Sequence, residues 1–359
     1  MFVALRDLRF AKGRFALMGA VVLLITLLVT MLSGLTAGLA QENISAIEGL
    51  PADRVVFSKS EKPSFSDSRI TETTWQEWRK VAGVSAVERL GITMGRLTFG
   101  DESTGAATAL FGVEPGGSLA KGSGATVDTG KVVLSAALAA DTGLTAGDNV
   151  RISGRDFTVA GIGGKASYSH APVAWIGIGD WEWMGRQSGA DTVATVLALR
   201  TTGDTDLAAV DTRLSTTTIP LAAAPAAIGS FSSENGSLQL MRGFLFAISA
   251  LVIGAFFTVW TIQRRGDVAV LKALGASTGY LLRDALAQAV IVLLLGAGIG
   301  GAIGAGLGAL AEDTVPFVLS ISTTVVPVAV MIALGALGAA LAIRKITSVD
   351  PLTALGASR

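Results

Sequence analysis

Four long stretches of the chain are almost entirely apolar. A bilayer core of about 30 Å requires roughly 20 such residues in a helix, and each stretch meets that length. The charges that they contain lie near their ends, at Arg242, Arg283 and Asp284. The pattern predicts four transmembrane helices, over residues 15–40, 238–262, 281–311 and 323–343.

The segment between the first two predicted spans, residues 41–237, has the polar, turn-rich pattern of a domain in water. Residues 74–92 predict a helix followed by a strand, with Ser and Thr N-cap candidates just before them. Residues 151–162 alternate apolar and polar side chains, as a half-buried strand does. The half-buried positions predicted there are Ile152, Phe157, Val159 and Ile162. We expect a large extracellular α+β domain between helices 1 and 2 of an α-helical integral membrane protein.

The basic residues predict the orientation. Lys and Arg are concentrated in residues 1–14, 263–280 and 344–359, and membrane proteins keep such segments in the cytoplasm. Both termini then lie on the cytoplasmic side of the plasma membrane, whereas residues 41–237 and the loop at 312–322 lie on its outer side. The alternative for the N-terminal span is a cleaved signal peptide, but this apolar run is longer than the usual signal core.

Composition agrees with a membrane protein and excludes several kinds of site. Half of the 359 residues are hydrophobic and 16% are charged, and the mean hydropathy is +0.58. There is no cysteine and one histidine, His170, so disulfides and clusters of Cys or His ligands within one chain are excluded. No nucleophile triad or paired-carboxylate spacing is recognisable. We therefore expect a protein that is not an enzyme, with membrane lipid but no nucleic acid among its partners.

The cytoplasmic loop "QRRGDVAVLKALGAST" predicts a short amphipathic helix. Val268, Leu271 and Leu274 share one side, Asp267 lies in the first turn, and Gly275 stands where the helix would end. Such a helix is suited to docking into a partner protein. The alternative is an interfacial helix that only anchors the loop to lipid headgroups.

Three motifs carry a resemblance to a known family. The segment "QRRGDVAVLKALGASTGYLLRD" resembles the coupling segment of permeases in the MacB/FtsX/LolE group of ABC transporters. The ending "RKITSVDPLTALGA" and the stretch "KVVLSAALAADTGLTAGDNVRISGRDFTVAGI" resemble, respectively, the C-terminus and the outer domain of that group. Together with the order of span, outer domain and three further spans, the resemblance covers essentially the whole chain.

The resemblance implies a homodimer of permeases with two cytoplasmic ATPase subunits. This chain has no GxxxxGK[ST] phosphate-binding motif, so ATP and magnesium are expected on the partner chain. By resemblance, part of the coupling segment lies in the ATPase groove and its basic residues lie at the rim. The residues so assigned are Arg264, Arg265, Leu271, Lys272, Ala273, Leu274, Gly275, Ala276 and Ser277.

Within that group, the size of the chain and the N-terminal "MFVALRDLRFAKGRFALMG" most resemble the haem-exporter permeases (Hrt type) of actinobacteria. This implies an efflux pump that takes haem from the outer leaflet, with haem as substrate and no intrinsic cofactor. Two alternatives stay open. One is export of an antimicrobial peptide or lipid, and the other is an FtsX-like signalling role that activates a cell-wall hydrolase without transport.

Haem iron requires an axial ligand, and the outer end of the first span offers carboxylates. Glu42 and Glu48 are the candidates for that ligand, with Met31 as a further contact and Arg242 as a partner for a propionate. The alternatives are that both carboxylates are solvated and that Arg242 reaches the headgroups. Tyr168 and His170 lie in "YSHAP", a stretch that more often forms a turn than a ligand site.

The glycines of the spans also have two readings. Gly34 and Gly38 form a GxxxG pattern in the first span, which would let a helix or a flat ligand approach closely. Packing in a dimer or on a neighbouring span explains the pattern without a ligand. The glycines of "GAGIGGAIGAGLGALA" in the third span likewise predict tight helix packing.

Overall fold

The computed structural model describes residues 12–100, 104–124, 126–187, 192–203, 205–263, 266, 270–272, 274–311 and 314–347. The chain divides into two compact units. One is the outer domain, Leu39–Gly236, and the other is the membrane unit, which comprises the residues before and after it.

The secondary structure alternates between long helices and a strand-rich middle. The helices are α1 (Lys12–Glu48), α2 (Glu72–Trp78), α3 (Ser118–Lys121), α4 (Ala136–Thr142), α5 (Ile178–Gln187), α6 (Leu207–Leu214), α7 (Gly229–Gln263), α8 (Thr278–Ala311) and α9 (Ile321–Thr347). The strands are β1 (Arg54–Ser58), β2 (Val84–Phe99), β3 (Thr104–Val113), β4 (Lys131–Leu134), β5 (Asn149–Ile152), β6 (Arg155–Ile162), β7 (Ser167–Tyr168), β8 (Ala171–Gly177), β9 (Val196–Thr201) and β10 (Thr216–Pro220).

Four helices, α1, α7, α8 and α9, are long and apolar enough to cross a membrane. This confirms the four predicted spans and the α+β domain between the first two. The helices extend beyond the apolar stretches, because α1 continues to Glu48 and α7 already begins at Gly229. The continuation of α1 is amphipathic rather than apolar, since Ile44 and Ile47 are buried in the core of the outer domain. A prediction from hydropathy therefore ends this helix at residue 40, before its true end at Glu48.

Close contacts at glycine hold the membrane unit together. Gly296, Gly300 and Gly304 recur every four residues on α8, and a methyl group at Gly300 would overlap the carbonyl of Leu23 on α1. At Gly304 it would lie 3.1 Å from the Cβ atom of Thr30. The tight helix packing predicted for this glycine stripe is confirmed. In lipid the hydrophobic effect does not drive helices together, so spans associate through the close van der Waals packing that small residues allow.

The outer domain is built on one continuous sheet with the order β10-β1-β9-β2-β3-β8-β4-β6-β5. Strand β2 also pairs with β5, at Leu97 with Ile152 and Thr98 with Arg151. This second pairing closes strands β2, β3, β8, β4, β6 and β5 into a barrel. The long β2 thus belongs to an open sheet in its first half and to the barrel in its second.

The predicted elements of the outer domain are present. Thr71 caps α2 by accepting a hydrogen bond from the backbone N–H of Thr74, and β2 follows that helix as expected. Of the positions predicted from alternation, those in the barrel interior are buried, namely Ile152, Phe157 and Val159. Ile162 is instead 47% exposed; it is the last residue of β6 and pairs with Leu134, the last residue of β4.

Candidate functional site

The turn between β7 and β8 is a two-residue hairpin formed by Ser169 and His170. Both have positive φ, +51° and +62°, as a tight hairpin of the type I′ class requires. This conformation is uncommon for residues other than Gly, although Asn, Asp and His adopt it more often than the rest. The turn predicted from "YSHAP" is confirmed, and its two residues are held in a conformation that surrounding contacts must stabilise.

Backbone and side-chain bonds fix this hairpin to the outer part of α1. The backbone N–H groups of Ser169 and His170 donate to the carbonyls of Asn43 and Glu42, at 3.0 and 3.3 Å. The Ser45 hydroxyl accepts from the Ser167 N–H at 2.9 Å. Carbonyls inside a helix normally accept hydrogen bonds from N–H groups of the same helix. Here two of them accept from the hairpin, which ties the hairpin to the last turns of α1.

The same hairpin is bonded to the start of α7. His170 Nε2 lies 2.8 Å from Glu234 Oε2, and both atoms are within 3.3 Å of the Asn43 side-chain nitrogen. The Ser230 hydroxyl donates to Asn43 Oδ1 at 2.7 Å and lies 2.8 Å from the Ser169 hydroxyl. We call these residues, Glu42, Asn43, Ser169, His170, Ser230 and Glu234, the hairpin cluster. It joins both helices that leave the outer domain.

Glu42 belongs to this cluster, since its Oε2 lies 3.9 Å from His170 Nδ1. Glu48 does not, and it is exposed at the last position of α1. Sequence reasoning missed Asn43, Ser230 and Glu234, because polar residues at a helix end look like solvated residues. Two signals in the sequence pointed to the cluster, namely the single histidine and the carboxylate of Glu42 at the end of the first span. Among the described residues, no group of three or more His, Asp or Glu is arranged to hold a metal ion.

In the membrane unit, the Gly34–Gly38 face is covered by the chain itself. A methyl group at Gly34 would overlap the ring of Phe317, and one at Gly38 would overlap the carbonyl of Pro316. The N–H of Val318 donates to the Gly34 carbonyl at 3.1 Å. The connection from α8 to α9 therefore occupies this face at these two positions.

Two other predicted site residues belong to the membrane unit. Met31 is half-buried on α1 and Arg242 is half-buried on α7. Glu42 and Glu48 lie in the outer domain, so the four haem-site candidates are divided between the two units.

The coupling segment ends in a well-defined helix stop. Gly275 has φ of +93°, the N–H of Gly275 donates to the Lys272 carbonyl, and the N–H of Ala276 donates to that of Leu271, both at 3.0 Å. These two bonds form a Schellman motif, which needs a residue with left-handed φ. Leu274 is 79% exposed and Leu271 is also exposed. Arg264, Arg265 and Ala273 lie outside the described residues.

Two family models match the chain. The model described as MacB-like periplasmic core domain matches residues 15–217, which is more than half of the chain. The model described as FtsX-like permease C-terminal matches residues 240–351. Together they cover residues 15–351 except 218–239, which form the last part of the outer domain and the start of α7.

Several individual proteins are also similar. A candidate hemin transport system permease protein named HrtB, from Staphylococcus epidermidis, is 25% identical over 358 residues, or 99% of each chain. Its namesake from Staphylococcus haemolyticus is likewise 25% identical over 99% of each chain. The macrolide export ATP-binding/permease protein MacB of Rhodopseudomonas palustris is 34% identical over 34% of this chain and 20% of its own.

Proposed function

The chain belongs to the MacB/FtsX family of ABC transporter permeases, and from this premise we propose that it is the permease subunit of a pump that exports haem. The observation that carries the proposal is the similarity to HrtB over 99% of both chains. Similarity confined to the outer domain or to the spans would support the family alone. An alignment that includes both supports a shared substrate class.

As a multi-pass ABC permease, the chain works with a separate ABC ATPase. In our proposal, two ATPase copies serve a homodimer of this chain, and both termini and the coupling segment are cytoplasmic. The side chains of Leu271 and Leu274 are exposed, so both are available to insert into an apolar groove of the partner. Burying one such side chain contributes about 1.5–3 kcal/mol to binding.

The substrate is then bound by groups that can meet iron or a propionate. Glu42 and Glu48 are carboxylates, which can ligate ferric iron, and Met31 and Arg242 offer a thioether and a guanidinium. Glu42 is the stronger candidate of the two carboxylates, because its neighbour His170 lies within 3.9 Å and the hairpin cluster holds its helix in place. Glu48, at the helix end, has no such neighbour in the described part of the chain.

The test is a haemin titration of the complete complex. The chain is purified with its cognate ATPase, and the Soret band is followed for wild type, Glu42→Gln and Glu48→Gln. Glu61→Gln is the matched control, since Glu61 is an exposed carboxylate elsewhere in the outer domain. We expect a saturable band in wild type and in the control that is lost in one of the other two variants.

Three other results would contradict haem export, and two of them would identify an alternative function. No Soret band in wild type would rule out haem as substrate. ATP hydrolysis stimulated by an antimicrobial peptide or a lipid, in place of haemin, would identify the other kind of export. An ATPase that responds to no substrate, together with a bound cell-wall hydrolase, would identify the signalling role.

A further inference from the structure

A gap in the sheet of the outer domain opens a cavity. Strand β9 pairs with β2 only as far as Leu90, and β5 pairs with β2 only at Leu97 and Thr98. Between these pairings, Ile92, Thr93 and Met94 line a cavity of about 580 Å³. Small-molecule sites typically enclose about 300–1,000 Å³, so the cavity has the right volume for a small ligand.

The walls of the cavity are largely apolar and rich in rings and sulfur. Phe65, Tyr168 and Trp181 supply aromatic rings, and Met94 and Met184 supply thioethers. Met94 is 50% exposed, although methionine is usually buried. Thioethers and rings both make favourable contacts with the faces and edges of an aromatic ring. The lining therefore fits a flat aromatic body.

One charged side chain lines the cavity among the residues that the structure describes, and it is Arg69. Its Nη1 donates to the carbonyls of Ser66 and Ser68, at 2.9 and 2.7 Å. These bonds fix the guanidinium plane, whereas its Nε and Nη2 have no partner among the described residues. Among the described residues, no carboxylate lines the cavity to neutralise this charge, so a cation is disfavoured and an anion is favoured.

Several other polar groups that line the cavity are already paired. Trp181 Nε1 donates to Thr93 Oγ1 at 2.8 Å, and the backbone N–H of Ile92 donates to Thr195 Oγ1 at 2.8 Å. The Thr195 side chain thus replaces the strand that is missing at this point. Hydroxyls of Ser66, Ser153 and Thr192 also line the cavity, and the guanidinium of Arg69 supplies the charge that can select a ligand.

We propose that this cavity binds a small aromatic anion, with its ring system against Met94, Trp181 and Met184 and its acidic group on Arg69. Haem is one member of this chemical class, but the inference rests on the cavity alone. It stands even if the chain exports something else. The test therefore uses metal-free probes, so that its failure is distinguishable from the failure of haem export.

The experiment measures protection of a single thiol. The chain has no cysteine, so Met94→Cys introduces one thiol in the cavity of the full chain in lipid nanodiscs. Its alkylation by a fluorescent maleimide is timed with anilinonaphthalene sulfonate and with phenylnaphthylamine, which has the same rings without the sulfonate. Ala208→Cys, on the exposed side of α6 and away from the cavity, is the control thiol.

At a sulfonate concentration ten times its dissociation constant, we expect alkylation in the cavity to slow about tenfold, with no change at the control thiol. Adding Arg69→Gln should weaken the protection by the sulfonate at least about tenfold, and leave that by the neutral amine unchanged. The unchanged amine shows that the cavity is intact. Arg69→Lys should restore part of the sulfonate protection.

Two results would overturn the proposal. Equal protection by both probes that Arg69→Gln does not alter would mean that the cavity is an apolar crevice without anion recognition. Absence of protection at the cavity thiol by either probe, or equal protection at the control thiol, would mean that no ligand is bound there.

Discussion

His170 Nε2 and Glu234 Oε2 lie 2.8 Å apart and join a strained hairpin to the first turns of α7. The same histidine has φ of +62°, a conformation that costs such a residue about 1 kcal/mol or more. The contacts to Glu234, Asn43 and the end of α1 offset that cost. The hairpin cluster is therefore a point where the outer domain holds both helices that continue into the membrane unit.

The first prediction is that His170 and Glu234 are energetically coupled. In a double-mutant cycle of His170→Ala and Glu234→Gln, thermal unfolding of the outer domain should reveal a coupling energy of about 0.5–1 kcal/mol. The exposed pair Lys80–Glu77, 2.6 Å apart on a solvent face, is the comparison and should couple more weakly. Simple additivity at His170 and Glu234 would contradict the role given to the cluster.

The second prediction concerns the glycines of α8. Gly300→Ala places a methyl group against the Leu23 carbonyl, whereas Gly298→Ala places one in open space. We expect Gly300→Ala to lower the unfolding temperature of the membrane unit and Gly298→Ala to leave it unchanged or raise it, because alanine favours the helix by up to about 1 kcal/mol.

A second pair on the same helix repeats the comparison. A methyl group at Gly296 would lie 2.9 Å from the Gly19 carbonyl oxygen, and one at Gly306 would meet nothing within 4 Å. Gly296→Ala should therefore be destabilising and Gly306→Ala should not. If the substitutions at positions with open space prove as damaging as the others, the packing account of the stripe is wrong.

How much the sequence predicts depends on the range of the interactions. The spans follow from local composition, and the cap at Thr71 and the turn at Gly275 follow from neighbouring residues, so these features were predictable. The barrel was not, because its closure depends on β2 meeting β5 at Leu97 and Ile152, far apart in the chain. Alternating hydrophobicity shows that a strand has a buried face but does not identify the strand beside it.

The site was predicted less completely for the same reason. Glu42 was identified as a carboxylate at the end of a span, but Glu234 is 64 residues from His170, and nothing local distinguishes it from a solvated helix residue. The covering of Gly34 by Phe317 is equally non-local. A GxxxG pattern predicts a close approach without identifying what approaches.

The third prediction tests the coupling segment. Leu274 is 79% exposed, and docking into the ATPase should bury it. Leu274→Ala should weaken binding of the ATPase about tenfold or more, since removing most of a buried leucine side chain costs about 2 kcal/mol or more. Leu310→Ala is the control, because Leu310 is 81% exposed and lies near the C-terminal end of α8, away from the coupling segment.

Binding is measured between the permease in nanodiscs and the purified ATPase, with ATP hydrolysis as the second readout. Both should fall for Leu274→Ala and remain unchanged for Leu310→Ala. Unaltered affinity for Leu274→Ala would favour the interpretation in which this segment only anchors the loop to headgroups.

The fourth prediction is a loss of stability at alkaline pH that depends on Tyr168. Burial raises the pKa of the Tyr168 phenol well above its usual range, since the side chain is 6% exposed and the charged form would lose its hydration. In the unfolded chain the phenol ionises near pH 10. The unfolded state therefore releases this proton first, and the free energy of unfolding falls by about 1.4 kcal/mol per pH unit above that point.

Tyr168→Phe removes the phenol and keeps the ring that packs against Phe65 and Phe111, at centroid distances of 5.9 and 5.7 Å. The difference in stability between wild type and variant should be constant up to about pH 9 and should shrink or reverse above about pH 10. The chain has two tyrosines, so Tyr280→Phe leaves Tyr168 as the source of phenolate absorbance. That absorbance should appear only as the domain unfolds, and its appearance in the folded protein near pH 10 would contradict the burial of this group.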